Sequence, residues 1–276
     1  MSRRRPRRSR SRRGAGWQVA VGVTLIAVVL LVLFGGFVTF VNVRHNRLEL
    51  DAGTYCPKSG PVALTVVLID ATDPFNIVQR TDLLNRIARV VRAVPRFGLL
   101  EIYTVTSIEA SPPEPIFRKC NPGRAAEISR LVENPRLAER NWQTGFKKPL
   151  ERVLSGVLKA NVAESSPILE SIQWVSVNSL AVPGRSRIPR HLIVISDLLQ
   201  HTNRLSLYRS PVDFREFAKT RYYDRVRASL DGVAVELFVV RRNSRIPIRK
   251  QDLLQFWVDY FDAQGVASLR IVSIAG

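Results

Sequence analysis

The chain has 276 residues, 46% of them hydrophobic, which is enough for a sizeable core and excludes a wholly disordered polymer. Its formal charge of +19 is uneven. Eight arginines lie between Arg3 and Arg13, no acidic residue precedes Glu49, and about +11 remains for the rest of the chain.

Residues 1–16 form an arginine-rich tail, and Gly14 to Val43 then contains no charge at all. A helix crosses a hydrocarbon core of about 30 Å with about 20 apolar residues, and AVGVTLIAVVLLVLFGGFVTFV meets that length. The run is too long for the apolar part of a cleaved signal peptide, and its end, GGFVTFVNV, offers no Ala-x-Ala site. The pattern therefore predicts a retained single-pass transmembrane helix over 17–41, with Trp17, Phe37 and Phe40 at its interfaces. The tail outnumbers Arg44, His45 and Arg47, so the positive-inside rule puts the N-terminus in the cytoplasm and the rest outside it. The tail then reads as a topology and headgroup signal rather than a nucleic-acid binder. Residues 42–60 are polar and read as a stalk before a domain over 61–276.

That domain alternates in character. PVALTVVLID is a continuous apolar run of the kind buried on both faces. NIVQRTDLLNRIARVVRAV follows as a helix, with Ile77, Leu83, Leu84, Ile87, Val90, Val91 and Val94 at helical spacing. GLLEIYTVTSI is a strand, SPPEP a loop, and IFRKC a short edge strand. Helical pieces over 124–163 are expected to break near Pro135 and Pro149. SSPILESIQWVSVNSLAV is a helix, HLIVIS a buried strand, and SPVDFREFAKTRYYDRVRASL a helix capped by Ser210. AVELFVV, RKQDLLQFWVDYFDAQG ending at Gly265, and SLRIVSIA close the chain as strand, helix and strand. Such alternation predicts an α/β fold with a doubly wound, mostly parallel, Rossmann-like sheet and helices on both faces. Ligands of such sheets bind beyond the strand C-termini, where strand order reverses.

Three stretches of carboxylates and hydroxyls fall at such ends: Asp70-Ala71-Thr72-Asp73, Ser165-Ser166-Pro167 and Ser196-Asp197. Their oxygens are hard ligands suited to Mg²⁺, which keeps several waters and takes few protein ligands. The chain after residue 60 resembles a von Willebrand factor A-type (vWA) domain with a degenerate metal-ion-dependent adhesion site. The family's first motif is Asp-x-Ser-x-Ser; Asp70 and Thr72 fill its first two places, and Pro74 stands in the third without a hydroxyl. Ser166 matches the family's lone Thr, and Asp197 its second Asp. The resemblance implies a Mg²⁺ or Mn²⁺ site of Asp70, Thr72, Ser166 and Asp197, with Asp73 as a further candidate. It also implies a hairpin of the second and third strands, with the third antiparallel at the sheet edge.

The chain has two cysteines, Cys56 and Cys120. In a cytosolic protein they would be unrelated buried thiols; in an exported domain an even pair forms a disulfide. The implied hairpin returns Cys120 to the end of the sheet where Cys56 precedes the first strand, which makes that bond feasible.

Other readings compete. Asp70, Asp73 and Ser166 can be strand-end and N-cap residues, whereas Asp197, directly after HLIVIS, lies near a buried position and needs a partner. A haloacid dehalogenase-like phosphatase needs a second Asp two residues after the first, where Thr72 stands. No Gly-x-Ser-x-Gly elbow, Walker loop or Cys-x-x-Cys is present. Of His45, His191 and His201, only His201 is well placed to reach the cleft. The basic runs GRSRIPR and RRNSRIPIRK are solvated loops or meet anionic lipid, an acidic partner or a DNA backbone; without interleaved aromatics they argue against nucleic acid. The functional expectation is a non-enzymatic, membrane-anchored module that binds other envelope proteins rather than small molecules. Its expected place is a bacterial inner membrane, with the domain periplasmic or otherwise extracytoplasmic. The alternatives are a membrane-anchored, metal-dependent hydrolase of phosphoesterase type and a metal-free scaffold subunit of an envelope or transfer complex.

Overall fold

The computed structural model describes residues 13–45, 48–105, 113–129, 133–159, 163–208, 213–241 and 248–275. The chain forms two compact units, Met1–Glu49 and Leu50–Gly276. The first is built on helix α1 (Arg13–His45), whose stretch Ala20–Val41 is long and apolar enough to cross a membrane. Its 22 residues rise about 33 Å at 1.5 Å each, close to the thickness of a hydrocarbon core. This helix fits a single-pass anchor.

The second unit is one sheet of six strands in the order β3-β2-β1-β4-β5-β6. Its strands are β1 (Leu64–Ile69), β2 (Leu99–Thr104), β3 (Phe117–Cys120), β4 (Arg190–Ser196), β5 (Val233–Val239) and β6 (Ser268–Ser273). All neighbours pair in parallel except β2 with β3, which form the antiparallel hairpin at one edge. This is the vWA-like arrangement that the resemblance implied. β1 and β4 read as near-continuous apolar runs because both of their faces are buried, whereas β2, equally buried, carries Glu101 in its middle.

Helices cover both faces. Leu83, Ile87 and Val91 of α2 (Ile77–Ala93) pack on Val67, Ile69, Leu100 and Ile102. Ile77 does not join them and is 81% exposed. It lies six residues before Leu83, about 120° around the helix from the buried stripe. The same face takes α3 (Pro135–Asn141) and α4 (Lys148–Val157), joined by a π-helical turn over Trp142–Lys147. Pro149 therefore does not break the helix: it stands in the first turn after the wider one, where its missing N–H is accommodated. Gly145 in that turn is required by close approach, since a Cβ there would lie 2.2 Å from the Tyr55 hydroxyl.

The opposite face takes α5 (Ile168–Val175), α6 (Phe214–Phe217), α7 (Arg221–Val226) and α8 (Lys250–Ala263). The single helix expected before β5 is two short ones, because Asp213 and Thr220 each cap a new start; Ser210 lies outside the described residues. Gly265 at φ +72° lets the chain turn out of α8 into β6.

Cys56 and Cys120 are disulfide-bonded, with Cα atoms 4.9 Å apart. The Cys120 N–H also donates to the Thr54 carbonyl at 2.8 Å, so the segment from Leu50 to Pro57 is fastened beside β3.

Candidate functional site

β1 and β4 are neighbours, and the order reverses between them, since β1 leads to β2 on one side and β4 lies on the other. Their C-terminal ends meet at the switch point, where a crevice is expected. Asp70 follows β1 there, only 2% exposed. Its N–H donates to the Ile195 carbonyl at 2.8 Å, which extends the sheet by one residue and aims the carboxylate into the crevice.

Four donors surround that carboxylate. Thr72 gives its N–H at 3.2 Å and its hydroxyl at 2.6 Å to Oδ1. The Ser166 hydroxyl donates to Oδ2 at 3.1 Å and the Ser196 hydroxyl at 2.8 Å. An ionised carboxylate has about four lone-pair positions, so Asp70 is saturated by short polar groups from three separate segments.

Each segment is held for this purpose by its own backbone. Ser166 forms an isolated bridge with His201, its N–H donating at 2.8 Å and its carbonyl accepting at 2.9 Å. It is not an N-cap: Pro167 holds that position in front of α5 without a side-chain bond. Asp73 is not an N-cap either, since Asn76 caps α2 in a reciprocal pair with Gln79. Thr72 anchors the far loop by accepting the Ala163 N–H at 2.8 Å.

Asp197 is buried, and its Oδ1 accepts the Leu199 N–H at 2.9 Å, tying the loop after β4. Between them Leu198 adopts φ +68°, a conformation that costs a non-glycine residue about 1–2 kcal/mol. Two bonds hold it there: the Ser196 hydroxyl accepts the Leu198 N–H at 2.8 Å, and the Trp257 indole donates to the Leu198 carbonyl at 2.9 Å.

Ser196, noted only as the neighbour of Asp197 at the end of its strand, was not among the expected ligands. The signal was present in the register: Ile69 pairs with Ile195, so the next two residues, Asp70 and Ser196, stand side by side on one face. Asp197, one residue on, starts on the other face. Behind this rim, Gln200 accepts the Leu169 N–H at 2.9 Å and donates to Glu170 at 2.9 Å and the Tyr222 hydroxyl at 3.1 Å. Burial and the adjacent Glu170 push the Tyr222 hydroxyl well above the usual tyrosine range. The network locks the start of α5, and with it Ser166, to the loop after β4.

His201 flanks the crevice, but its ring is occupied, with Nδ1 2.9 Å from the Ser206 hydroxyl and an edge-to-face contact with Tyr208. His191 lies in β4, 3.5 Å from Glu236. An apolar cavity of about 560 Å³ adjoins Thr72, walled by Ala71, Val105, Ile116, Val153 and Val157. Among the described residues no group of three or more His, Cys, Asp or Glu side chains converges as a metal cluster.

The donor set still fits a hard divalent ion. It is all oxygen, it combines a carboxylate with three hydroxyls that each retain lone pairs, and Mg²⁺ needs only one or two protein carboxylates.

No family model matches the sequence, and no curated protein matches it. Among solved structures, similarity is found to the SpRpn10 VWA domain at 10% identity and a TM-score of 0.40, covering 78% of this chain and 89% of that one. It extends to the conserved hypothetical protein BatB from Bacteroides thetaiotaomicron, at 10% identity and 0.37 over 78% and 91%. An aerotolerance-related membrane protein from Bacteroides fragilis matches at 9% identity and 0.31 over 76% and 91%. At such scores the superpositions carry no functional argument; the vWA-like architecture rests on the strand order, the antiparallel edge and Asp70 at the switch point.

Proposed function

We propose that this chain is a non-enzymatic docking module, anchored by one helix in a bacterial inner membrane. Its arginine tail is cytoplasmic and its domain periplasmic or otherwise extracytoplasmic, where it captures another envelope protein at the Asp70 edge. The reading is carried by one observation: a buried carboxylate at the switch point, approached by three hydroxyls and, among the described residues, by no cation. Thr72 and Ser166 would hold Mg²⁺ or Mn²⁺ through the free lone pairs of their hydroxyls, with Asp70, Asp197 and Asp73 engaged directly or through water. The bound ion would supply an open position for a carboxylate of the partner.

This chain's own residues do the rest. Ser196 and the Trp257-held Leu198 fix the loop after β4, and the Gln200–Glu170–Tyr222 network fixes Ser166. The saturation of Asp70 favours a second reading, a metal-free scaffold whose polar edge docks a partner unaided.

Thermal unfolding of the full-length protein in detergent, with and without millimolar Mg²⁺ or Mn²⁺, separates the two. An ion at 100 times its dissociation constant stabilises by about 2.7 kcal/mol. We expect such a rise in the native protein and none in Asp70→Ala. No rise in either overturns the metal-assisted reading and leaves the scaffold.

A further inference from the structure

We propose that the opposite edge of the sheet, formed by the N-terminal ends of the parallel strands, docks on anionic phospholipid headgroups. Four loops or helix ends separated in sequence bring exposed arginines to it: Arg92 from the end of α2, Arg136 from the start of α3, Arg187 from the turn before β4, and Arg225 and Arg227 from the end of α7. Convergence from four places distinguishes this edge from a single basic run.

Its carboxylates are largely engaged. Glu101 is paired with Arg118 and Arg185, Glu127 with Arg124, and Glu133 with Arg96. Asp51 accepts the Thr54 N–H and hydroxyl, which hold its carboxyl below the usual range. Glu49, Asp224, Asp231 and Asp262 are the other exposed acids nearby, fewer than the arginines.

The covalent route of the chain selects lipid over a soluble polyanion. Leu50 bridges to Pro57, and Cys56 is bonded to Cys120, which pairs with Leu99 at the start of β2. The polypeptide arriving from the apolar helix therefore joins the domain at this edge. The nine residues from Val41 to Leu50 span at most about 30 Å by chain length alone, a tether short enough for headgroup contact at this edge. Guanidinium groups bind phosphate through paired N–H donors, and an anionic leaflet attracts such groups within a Debye length of about 8–10 Å. A second copy of the chain, itself strongly basic, would be repelled.

The proposal rests on the anchor reading, and the test separates the two. Full-length protein is placed in nanodiscs of phosphatidylcholine, with or without phosphatidylglycerol. A fluorophore at Ser186→Cys, beside Arg187, or at Ile77→Cys, at the Asp70 edge, reports energy transfer to labelled headgroups. We expect transfer from position 186 to rise with phosphatidylglycerol. That gain should be lost in high salt and in Arg92→Gln/Arg187→Gln/Arg225→Gln/Arg227→Gln, while the variant keeps the native unfolding midpoint.

Equal transfer in both lipids, or a full gain in the variant, overturns the proposal. So does equal proximity at position 77, or suppression of binding to heparin by the same variant without any phosphatidylglycerol effect. Should the variant unfold, the salt dependence of the native protein decides alone. A chain that fails to insert into the discs overturns the anchor reading and this proposal with it.

Discussion

Asp70 and Glu101 lie on adjacent strands of one sheet, at 2% and 0% exposure, yet their partners differ in kind. Glu101 in β2 receives Arg118 at 2.9 Å and Arg185 at 3.4 Å, the Tyr103 hydroxyl at 3.1 Å and the Ser179 hydroxyl. Its charge is cancelled within the fold, and it pins β3 and the turn before β4 to the sheet. Burial, with Glu101 adjoining, pushes the Tyr103 hydroxyl up to about 12, so it stays a donor. Among the described residues, Asp70 receives hydroxyls and one N–H, which satisfy its lone pairs but bring no positive charge. A carboxylate solvated in this way keeps its attraction for a cation. The difference teaches that burial alone does not separate a structural carboxylate from a candidate site; the charge of its partners does.

The largest expected effect breaks the ion-paired side. Glu101→Ala strips two arginines and two hydroxyls of their acceptor, and removing one partner of a buried pair costs about 3–5 kcal/mol. We expect the lower end by denaturant unfolding, since Arg118 is half exposed and can turn to solvent. Asp70→Ala should cost less, about 1–3 kcal/mol, because hydroxyls left without an acceptor can rebond to water or to one another. The two variants should then part on metal: Mg²⁺ stabilisation should persist in Glu101→Ala and vanish in Asp70→Ala.

A smaller change sharpens the same contrast. Ser196→Ala removes one donor to Asp70 and the acceptor of the Leu198 N–H, and should cost about 1–2 kcal/mol. A greater loss of partner or metal affinity than of stability would mark Ser196 as part of the site.

The smallest expected effect is on pH. Burial holds the His191 imidazole below its ordinary 6.5; Glu236 opposes that and Arg270 adds to it. The unfolded chain therefore binds the proton first, so the contribution of His191 is present above pH 6.5 and fades as pH falls through the depressed value. His191→Gln should flatten the unfolding midpoint over that window.

Much of this was legible beforehand. The apolar runs gave β1 and β4 directly, because strands buried on both faces are mostly apolar. Asp70, Thr72 and Ser166 stood out as polar groups where such runs stop, and the structure joins them. Ser196 needed strand register, which no single segment carries. Glu101 hid inside GLLEIYT, where a lone acid in an apolar strand gives no sign of the arginines that reach it from 17 and 84 residues away. Pro149 misled because its cost depends on the width of the preceding turn, and Ile77 because apolarity was not weighed against angular position.

The Cys56–Cys120 bond closes a loop of 64 residues containing β1, α2 and β2. The chain-entropy model gives such a cross-link about 4 kcal/mol, but its other consequence is mechanical. A pull arriving along the polypeptide at Leu50 meets Cys56 before it meets β1, and the sulfur bridge offers it a parallel path into β3. The load divides between an edge strand and a central one, and β1 cannot be peeled from the sheet while that bridge lasts. Reduction of the bridge would direct the whole force onto β1 and the aspartate at its far end.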